Sequence, residues 1–213
     1  MNAELLNKIN KCNILVFDFD GTLINSEPYH KQAHGKVLSK ILGYEFEMTD
    51  EKFATYIGKQ DDVIYDLYKT DFNVEYNKQE MINLKIDIAT ELLKDKNVKI
   101  FNYFFDLLKI KGDKKFYIVS NQAGKTLVEV LKAKNIYDHF DGVYSMPDLK
   151  LDKALTISNL STLFDIKGKE VALFEDSNFY LGVAKQCGFL TVGVETQMNK
   201  GKITNADYVI CGK

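Results

Sequence analysis

Short apolar runs alternate with helical repeats over most of this chain. Five runs have the length of strands, at residues 14–17, 116–119, 171–174, 190–194 and 208–210. Between them, apolar residues recur every three or four positions, as in Leu127, Val130 and Leu131, which predicts helices. This alternation predicts an α/β fold with a doubly wound, parallel, Rossmann-like sheet.

The long interval between the first two predicted strands has a different pattern. It lacks convincing strands and carries two helical stripes of its own. The apolar members of these stripes are Tyr29, Ala33, Val37 and Ile41 in the first, and Met81, Leu84, Ile88 and Leu92 in the second. We interpret residues 25–98 as an inserted helical cap domain, and residues 1–24 and 99–213 as the Rossmann-like catalytic core.

Composition narrows the class of protein further. The chain has 213 residues, of which 46% are hydrophobic and 27% charged, with a net charge of −2. This balance is typical of a globular protein and predicts no binding to nucleic acid or to an anionic membrane. The chain has no apolar run long enough to span a membrane, and its three cysteines are odd in number and widely spaced. We therefore predict a cytoplasmic, monomeric protein with reduced thiols that acts on a small molecule.

Two carboxylates follow the first predicted strand directly. Asp18 and Asp20 are two residues apart, so their side chains point the same way, and Gly21 permits a sharp turn after them. Ligands of parallel sheets collect beyond the carboxyl ends of the strands. The segment therefore indicates a phosphotransfer site. Because the sequence contains no arginine, a phosphate must be held by lysine, backbone N–H groups or a metal ion.

Further polar residues follow other predicted strands: Ser120 and Asn121, Lys150, and the pair Glu175 and Asp176. In this order, and together with residues 18–22, they resemble the four motifs of the haloacid dehalogenase superfamily. The stretch from Asp20 to Pro28 also resembles members with a helical cap, including sugar-phosphate phosphatases and beta-phosphoglucomutase-like proteins.

The resemblance implies a role for each motif residue. Asp18 would be the nucleophile and Asp20 the general acid and base. Mg²⁺ would be held by Asp18, the backbone carbonyl of Asp20, Glu175 and Asp176. The groups implied for phosphate binding are Thr22, Ser120, Asn121 and Lys150.

The lysine of the third motif has two candidates. Lys150 lies at the expected place, but Leu151 and Asp152 replace the proline-rich surroundings usual after the family lysine. Lys153 lies one turn further along. We favour Lys150 and keep Lys153 as the alternative.

Substrate specificity is expected to come from the cap. The candidates for the surface that closes over the substrate are Glu27, His30, Lys59 and Lys85, and of these His30, Lys59 and Lys85 are predicted to bind it. His30 could equally be a core or exposed histidine, and Lys85 could be a lysine that reaches out from the edge of an apolar stripe.

The leading hypothesis is a Mg²⁺-dependent phosphatase that hydrolyses a small phosphomonoester, such as a sugar phosphate, through an aspartyl-phosphate intermediate. A phosphomutase similar to beta-phosphoglucomutase is the alternative. The segment 58–62 resembles the specificity loop of such caps but has no arginine for a second phosphate, which weakens this alternative. A second alternative is a catalytically silent module that binds a phosphorylated metabolite.

Overall fold

The computed structural model describes residues 1–56, 59–165, 167 and 170–213. The chain folds into two compact units. The larger consists of Met1–Asn25 and Lys96–Lys213, and the smaller of Ser26–Asp95. The smaller unit is thus slightly narrower at both ends than the interval 25–98 delimited from the sequence pattern.

The larger unit contains a parallel six-stranded sheet. Its strands, in chain order, are β1 Ile14–Phe17, β2 Lys115–Ser120, β3 Gly142–Ser145, β4 Val171–Glu175, β5 Leu190–Glu195 and β6 Tyr208–Cys211. In space the order is β3-β2-β1-β4-β5-β6, with every neighbouring pair parallel. The prediction of an α/β fold with a doubly wound parallel sheet is confirmed.

Helices connect these strands and form the smaller unit. In chain order they are α1 Ala3–Asn10, α2 Glu27–Leu42, α3 Asp50–Ala54, α4 Asp61–Phe72, α5 Lys78–Lys94, α6 Asn102–Lys109, α7 Gly124–Ala133, α8 Met146–Leu149, α9 Lys153–Leu163 and α10 Asn178–Gln186. A short 3₁₀ helix spans Tyr137–His139. No helix in the described part of the chain is long and apolar enough to cross a membrane.

The sheet is covered on both faces, which explains why β1 is apolar at every position. Val16 belongs to a cluster with Ile157 of α9 and Ala184 of α10 on one face. The ring of Phe17 stacks on Phe174 with centroids 4.9 Å apart. Strands that are buried on both faces have continuous apolar runs rather than alternation, as observed here.

The edge strand β3 was absent from the predicted set. Of its four residues, Gly142 and Val143 are half-buried, Tyr144 is exposed, and only Ser145 is buried. The strand forms because its backbone pairs with β2, in a register that aligns Ser145 with Ser120. Because backbone pairing does not require apolar side chains, a strand formed in this way shows little hydrophobic pattern in the sequence.

The smaller unit has an aromatic core. Tyr56, Tyr65 and Tyr68 are buried together with His34, whose Nδ1 lies 2.8 Å from the Tyr68 hydroxyl. Burial lowers the pKa of His34 well below its usual value, and the charge of Lys85 adds to this effect.

The buried face of α5 differs from the predicted stripe. Leu84, Ile88 and Leu92 are only half-buried, whereas the buried positions are Met81, Ile82, Lys85, Ala89, Thr90 and Leu93. The physical reason is that α5 packs against both α2 and α4, so a broad face is covered instead of one narrow stripe.

Candidate active site

The sheet order brings the predicted site residues to one edge. β1 lies between β2 and β4, and their carboxyl ends point the same way because all three are parallel. Asp18 directly follows β1, while Ser120 and Glu175 end β2 and β4. Residues more than 100 positions apart in the chain therefore meet at this edge.

Lys153, the first residue of α9, lies between two of these carboxylates. Its Nζ is 2.7 Å from Asp18 Oδ1 and 2.9 Å from Glu175 Oε2. The exposed fractions are 3% for Lys153, 7% for Asp18 and 1% for Glu175. Such charged groups are almost never buried unless paired. Here one ammonium group compensates two carboxylates.

Burial and charge shift the pKa values in this cluster. Burial alone would lower the pKa of Lys153, but the charges of Asp18 and Glu175 outweigh that effect and raise it. Burial, together with the charge of Asp18, raises the pKa of Glu175 to about 7, although Lys153 opposes the shift. The lysine is therefore firmly protonated, and the raised pKa means that Glu175 takes up a proton at a higher pH than an ordinary glutamate does.

The structure places Lys153, and not the favoured Lys150, beside these carboxylates. Lys150 is exposed and ends α8 in the left-handed conformation, with φ of 54°. Asp152 then caps α9 by accepting a hydrogen bond from the Leu155 N–H. This turn places the next residue, Lys153, next to the carboxylates of Asp18 and Glu175. The break between α8 and α9 decides which lysine enters the site, and the sequence pattern did not show it.

Asp18, Glu175 and Asp176 form the acidic cluster of the site. One oxygen of each lies within 4.8 Å of the others. Thr22 Oγ1 donates to Asp176 Oδ1 at 3.5 Å, and Asn199 Nδ2 donates to the Asp176 carbonyl at 3.0 Å, which anchors this loop. A donor set composed of carboxylate oxygens fits a hard divalent cation such as Mg²⁺.

Asp20 is half-buried and lies next to a tight turn. Gly21 has φ of 68°, a conformation that favours glycine. Gln122 Nε2 donates to Asp20 Oδ2 at 2.9 Å. The buried Tyr103 hydroxyl donates to the Thr22 carbonyl at 2.6 Å, so the loop after β1 is supported from the interior.

Ser120 and Asn121 differ in their surroundings. Ser120 is buried, and its Oγ accepts from the Gln122 N–H at 3.2 Å. Asn121 is exposed and donates through Nδ2 to the Tyr180 hydroxyl at 2.9 Å. The Tyr180 ring lies 4.6 Å from Lys153 Nζ, so this tyrosine links Asn121 to the buried lysine.

Gln122, Tyr180 and Tyr103 contact residues of the site, although the sequence pattern did not single them out. Gln122 lies two residues after Ser120, a proximity that could have drawn attention to it. No comparable signal marks Tyr103 or Tyr180, because each reaches the site from a helix that is distant in sequence from its partner.

The predicted cap residues lie in the smaller unit. Lys85 is buried, and its Nζ is 3.1 Å from both carboxylate oxygens of Asp61. His30 is half-buried in α2, and Lys59 is exposed and donates to the Thr55 carbonyl. Gly58, at the start of the predicted specificity loop, lies outside the described residues. Within this unit, the charge of Lys85 is balanced by Asp61.

Fold and site together define an α/β protein in which three carboxylates meet at the carboxyl edge of a parallel sheet, and two of them pair with a buried lysine. The chain belongs to the haloacid dehalogenase-like hydrolase family, whose model matches residues 15–194. The family predicted from the four motifs is thereby confirmed. A search of curated proteins found no match.

Solved structures share the fold at low sequence identity. CbbY from Rhodobacter sphaeroides in complex with phosphate is 15% identical, with a TM-score of 0.81 over 93% of both chains. A putative beta-phosphoglucomutase from Thermotoga maritima is 17% identical, with a TM-score of 0.74 over 94% of both chains. A predicted phosphoglycolate phosphatase from Haemophilus somnus is 18% identical, with a TM-score of 0.71 over 93% of both chains.

Proposed function

We propose that this protein is a Mg²⁺-dependent phosphatase that hydrolyses a small phosphomonoester, such as a sugar phosphate, through an aspartyl phosphate on Asp18. The observation that carries the proposal is the buried ion pair between Lys153 and Asp18, beside Glu175 and Asp176. The names of the similar structures, which include a phosphoglycolate phosphatase and a beta-phosphoglucomutase, support phosphate esters as substrates.

Asp18 would act as the nucleophile. The ion pair to Lys153 holds one of its oxygens at 2.7 Å and so restricts the rotation of the carboxylate. An oxygen of Asp18 forms a bond to phosphorus while the ester P–O bond breaks, and the substrate alcohol leaves. The ammonium group of Lys153 offsets the repulsion between the carboxylates and the anionic phosphate.

Asp20 would transfer the proton in both steps. It gives a proton to the departing alcohol oxygen, and then takes one from the water that attacks the aspartyl phosphate. The bond between Asp18 and phosphorus breaks in this second step, which releases inorganic phosphate and restores both carboxyl groups.

Asp18, the Asp20 backbone carbonyl, Glu175 and Asp176 would hold Mg²⁺. When bound, the ion would supply positive charge that offsets the repulsion between the carboxylates and an anionic phosphate. Thr22, Ser120 and Asn121 stay candidates for contacts to the phosphoryl oxygens, and Lys153 replaces Lys150 as the balancing cation. The assignment of His30, Lys59 and Lys85 to substrate binding also stays a prediction.

Asp18→Asn tests the proposal because it removes the nucleophile with little change of shape. We would incubate both proteins with Mg²⁺ and a panel of phosphomonoesters that includes sugar monophosphates and bisphosphates, and measure released phosphate and rearranged esters. The rate of phosphate release should fall by roughly a thousandfold or more. Asp113→Asn is the matched control, because Asp113 is exposed and precedes β2, at the opposite edge of the sheet.

The products separate the proposal from its alternatives. A rearranged ester without free phosphate would contradict hydrolysis and favour a phosphomutase. Binding of phosphorylated metabolites without turnover, in saturating Mg²⁺, would favour the silent binding module. Equal phosphate release by wild type and Asp18→Asn would refute the role of Asp18.

A further inference from the structure

The side-chain amide of Gln122 contacts the residue that would carry the proton. Gln122 Nε2 donates to Asp20 Oδ2 at 2.9 Å, although the two residues are 102 positions apart in the chain. The contact exists because Gln122 follows β2 and Asp20 follows β1, and these strands are parallel neighbours. It is a direct hydrogen bond to one identified carboxylate oxygen.

The orientation of the amide is determined by a second hydrogen bond. The Ala123 N–H donates to Gln122 Oε1 at 3.0 Å. An amide oxygen can only accept and an amide nitrogen can only donate, so the opposite orientation would place two donors face to face at Ala123. It would also turn the amide oxygen towards the Asp20 carboxylate. Nε2 is therefore the end that reaches Asp20.

Gln122 is held firmly. The residue is 7% exposed, and its backbone N–H donates to Ser120 Oγ at 3.2 Å. Ala123 is the N-terminal cap residue of α7, so the amide is tied to the start of a helix. A buried, twice-anchored donor fixes the direction of a carboxylate better than an exposed, mobile one.

We propose that Gln122 is a positioning residue for Asp20, an inference that rests on the proposed function. The amide N–H occupies Oδ2, so the transferable proton resides on Oδ1. As the ester P–O bond breaks, Oδ1 gives this proton to the alcohol oxygen. Oδ1 then regains a proton from the attacking water as phosphate is released. Gln122 itself exchanges no proton with the substrate.

The first test compares two leaving groups in Gln122→Met, which keeps an unbranched side chain of similar length but has no donor. The substrates are 4-nitrophenyl phosphate and the alkyl phosphate that the wild type hydrolyses fastest. An alkyl alcohol needs a proton to leave, whereas nitrophenolate leaves as a stable anion. We expect kcat/KM to fall roughly 10- to 100-fold for the alkyl ester and less than about threefold for the aryl ester.

The same variant should separate kcat from kcat/KM on the aryl ester. The kcat/KM value reports the steps up to release of nitrophenolate, whereas kcat includes attack by water, for which Asp20 must accept a proton. We therefore expect kcat to fall for the aryl ester while kcat/KM is nearly unchanged. A purely structural defect would lower both values for both substrates.

The second test is a double-mutant cycle with Asp20→Asn. If Gln122 acts through Asp20, Gln122→Met should cost less than about twofold on the alkyl ester in the Asp20→Asn background. Gln122→Glu is a second variant that removes the donor. Its carboxylate can still accept a hydrogen bond from the Ala123 N–H but, when ionised, cannot donate one to Asp20. We expect Gln122→Glu to lose alkyl-ester activity at neutral pH at least as strongly as Gln122→Met does.

Thermal unfolding would show which variants are folded. If Gln122→Met does not fold, the comparison is made with Gln122→Glu. Equal losses for alkyl and aryl esters, full activity of Gln122→Glu, or an undiminished cost in the Asp20→Asn background would overturn the proposal. A wild type without phosphatase activity would overturn the proposed function and this inference together. An active wild type with insensitive Gln122 variants would overturn this inference alone.

Discussion

Replacement of Lys153 by methionine is the most informative single perturbation of the site. Methionine fills a similar volume but removes the charge that lies 2.7 Å from Asp18 and 2.9 Å from Glu175. Both carboxylates are buried, so water cannot readily replace the ammonium group. The substitution leaves two neighbouring negative charges at the place where an anionic phosphate must bind.

The size of the effect follows from these distances. Coulomb's law with an effective dielectric constant of about 20 gives roughly 6 kcal/mol for unit charges about 2.8 Å apart. Truncation of one member of a buried pair costs less, about 3 to 5 kcal/mol, because the surroundings relax. If about 3 to 4 kcal/mol is lost in the transition state, kcat/KM falls on the order of 100- to 1,000-fold.

The assay is phosphate release from the best substrate of the wild type, with Lys150→Met as the matched control. This control removes the same charge three positions earlier, from an exposed side chain. It should retain activity within about a factor of two, as is usual for surface positions. Equal activities of the two variants, or a larger loss in Lys150→Met, would refute the assignment of Lys153.

Stability provides an independent readout through Glu175, whose pKa is raised to about 7 in the folded protein. Loss of Lys153 raises this pKa further, so above about pH 7 Glu175 keeps its proton in a larger fraction of the folded variant than of the folded wild type. Stability then declines more steeply with pH in the variant. In urea unfolding without metal, the variant should have a lower free energy of unfolding than the wild type. The difference should widen from about pH 7 to 9, by at most about 1.4 kcal/mol per pH unit. A constant deficit would contradict this coupling.

Two further predictions concern the support of the site and its metal. Tyr103→Phe should lower the free energy of unfolding by about 1 to 3 kcal/mol, because the buried Thr22 carbonyl loses its donor. The control in urea unfolding is Tyr208→Phe, at a half-buried tyrosine whose hydroxyl donates to Glu4 in an exposed hydrogen bond, and equal shifts would contradict the assignment. Mg²⁺ at about 100 times its Kd should raise the Tm of the wild type by roughly 5 to 10 °C. Asp176→Asn should lose most of this rise and Asp113→Asn none, and an undiminished rise in Asp176→Asn would argue against Asp176 as a ligand.

The sequence by itself determined the class of fold and pointed to the carboxylates that we propose as reactive groups. Strands such as β1 are continuous apolar runs because they are buried on both faces, and this local pattern needs no knowledge of distant contacts. Asp18 and Asp20 were found because they directly follow such a run. The order of the four motifs was then sufficient to indicate the family.

Tertiary structure alone decided how the remaining groups meet. Lys153 rather than Lys150 enters the site because α8 ends and α9 begins between them, a change of direction set by local backbone conformation and by packing on the sheet. Gln122 reaches Asp20 only because β1 and β2 are parallel neighbours. Contacts between residues that are distant in sequence depend on strand order and helix entry, and a single sequence carries no periodic signal for either.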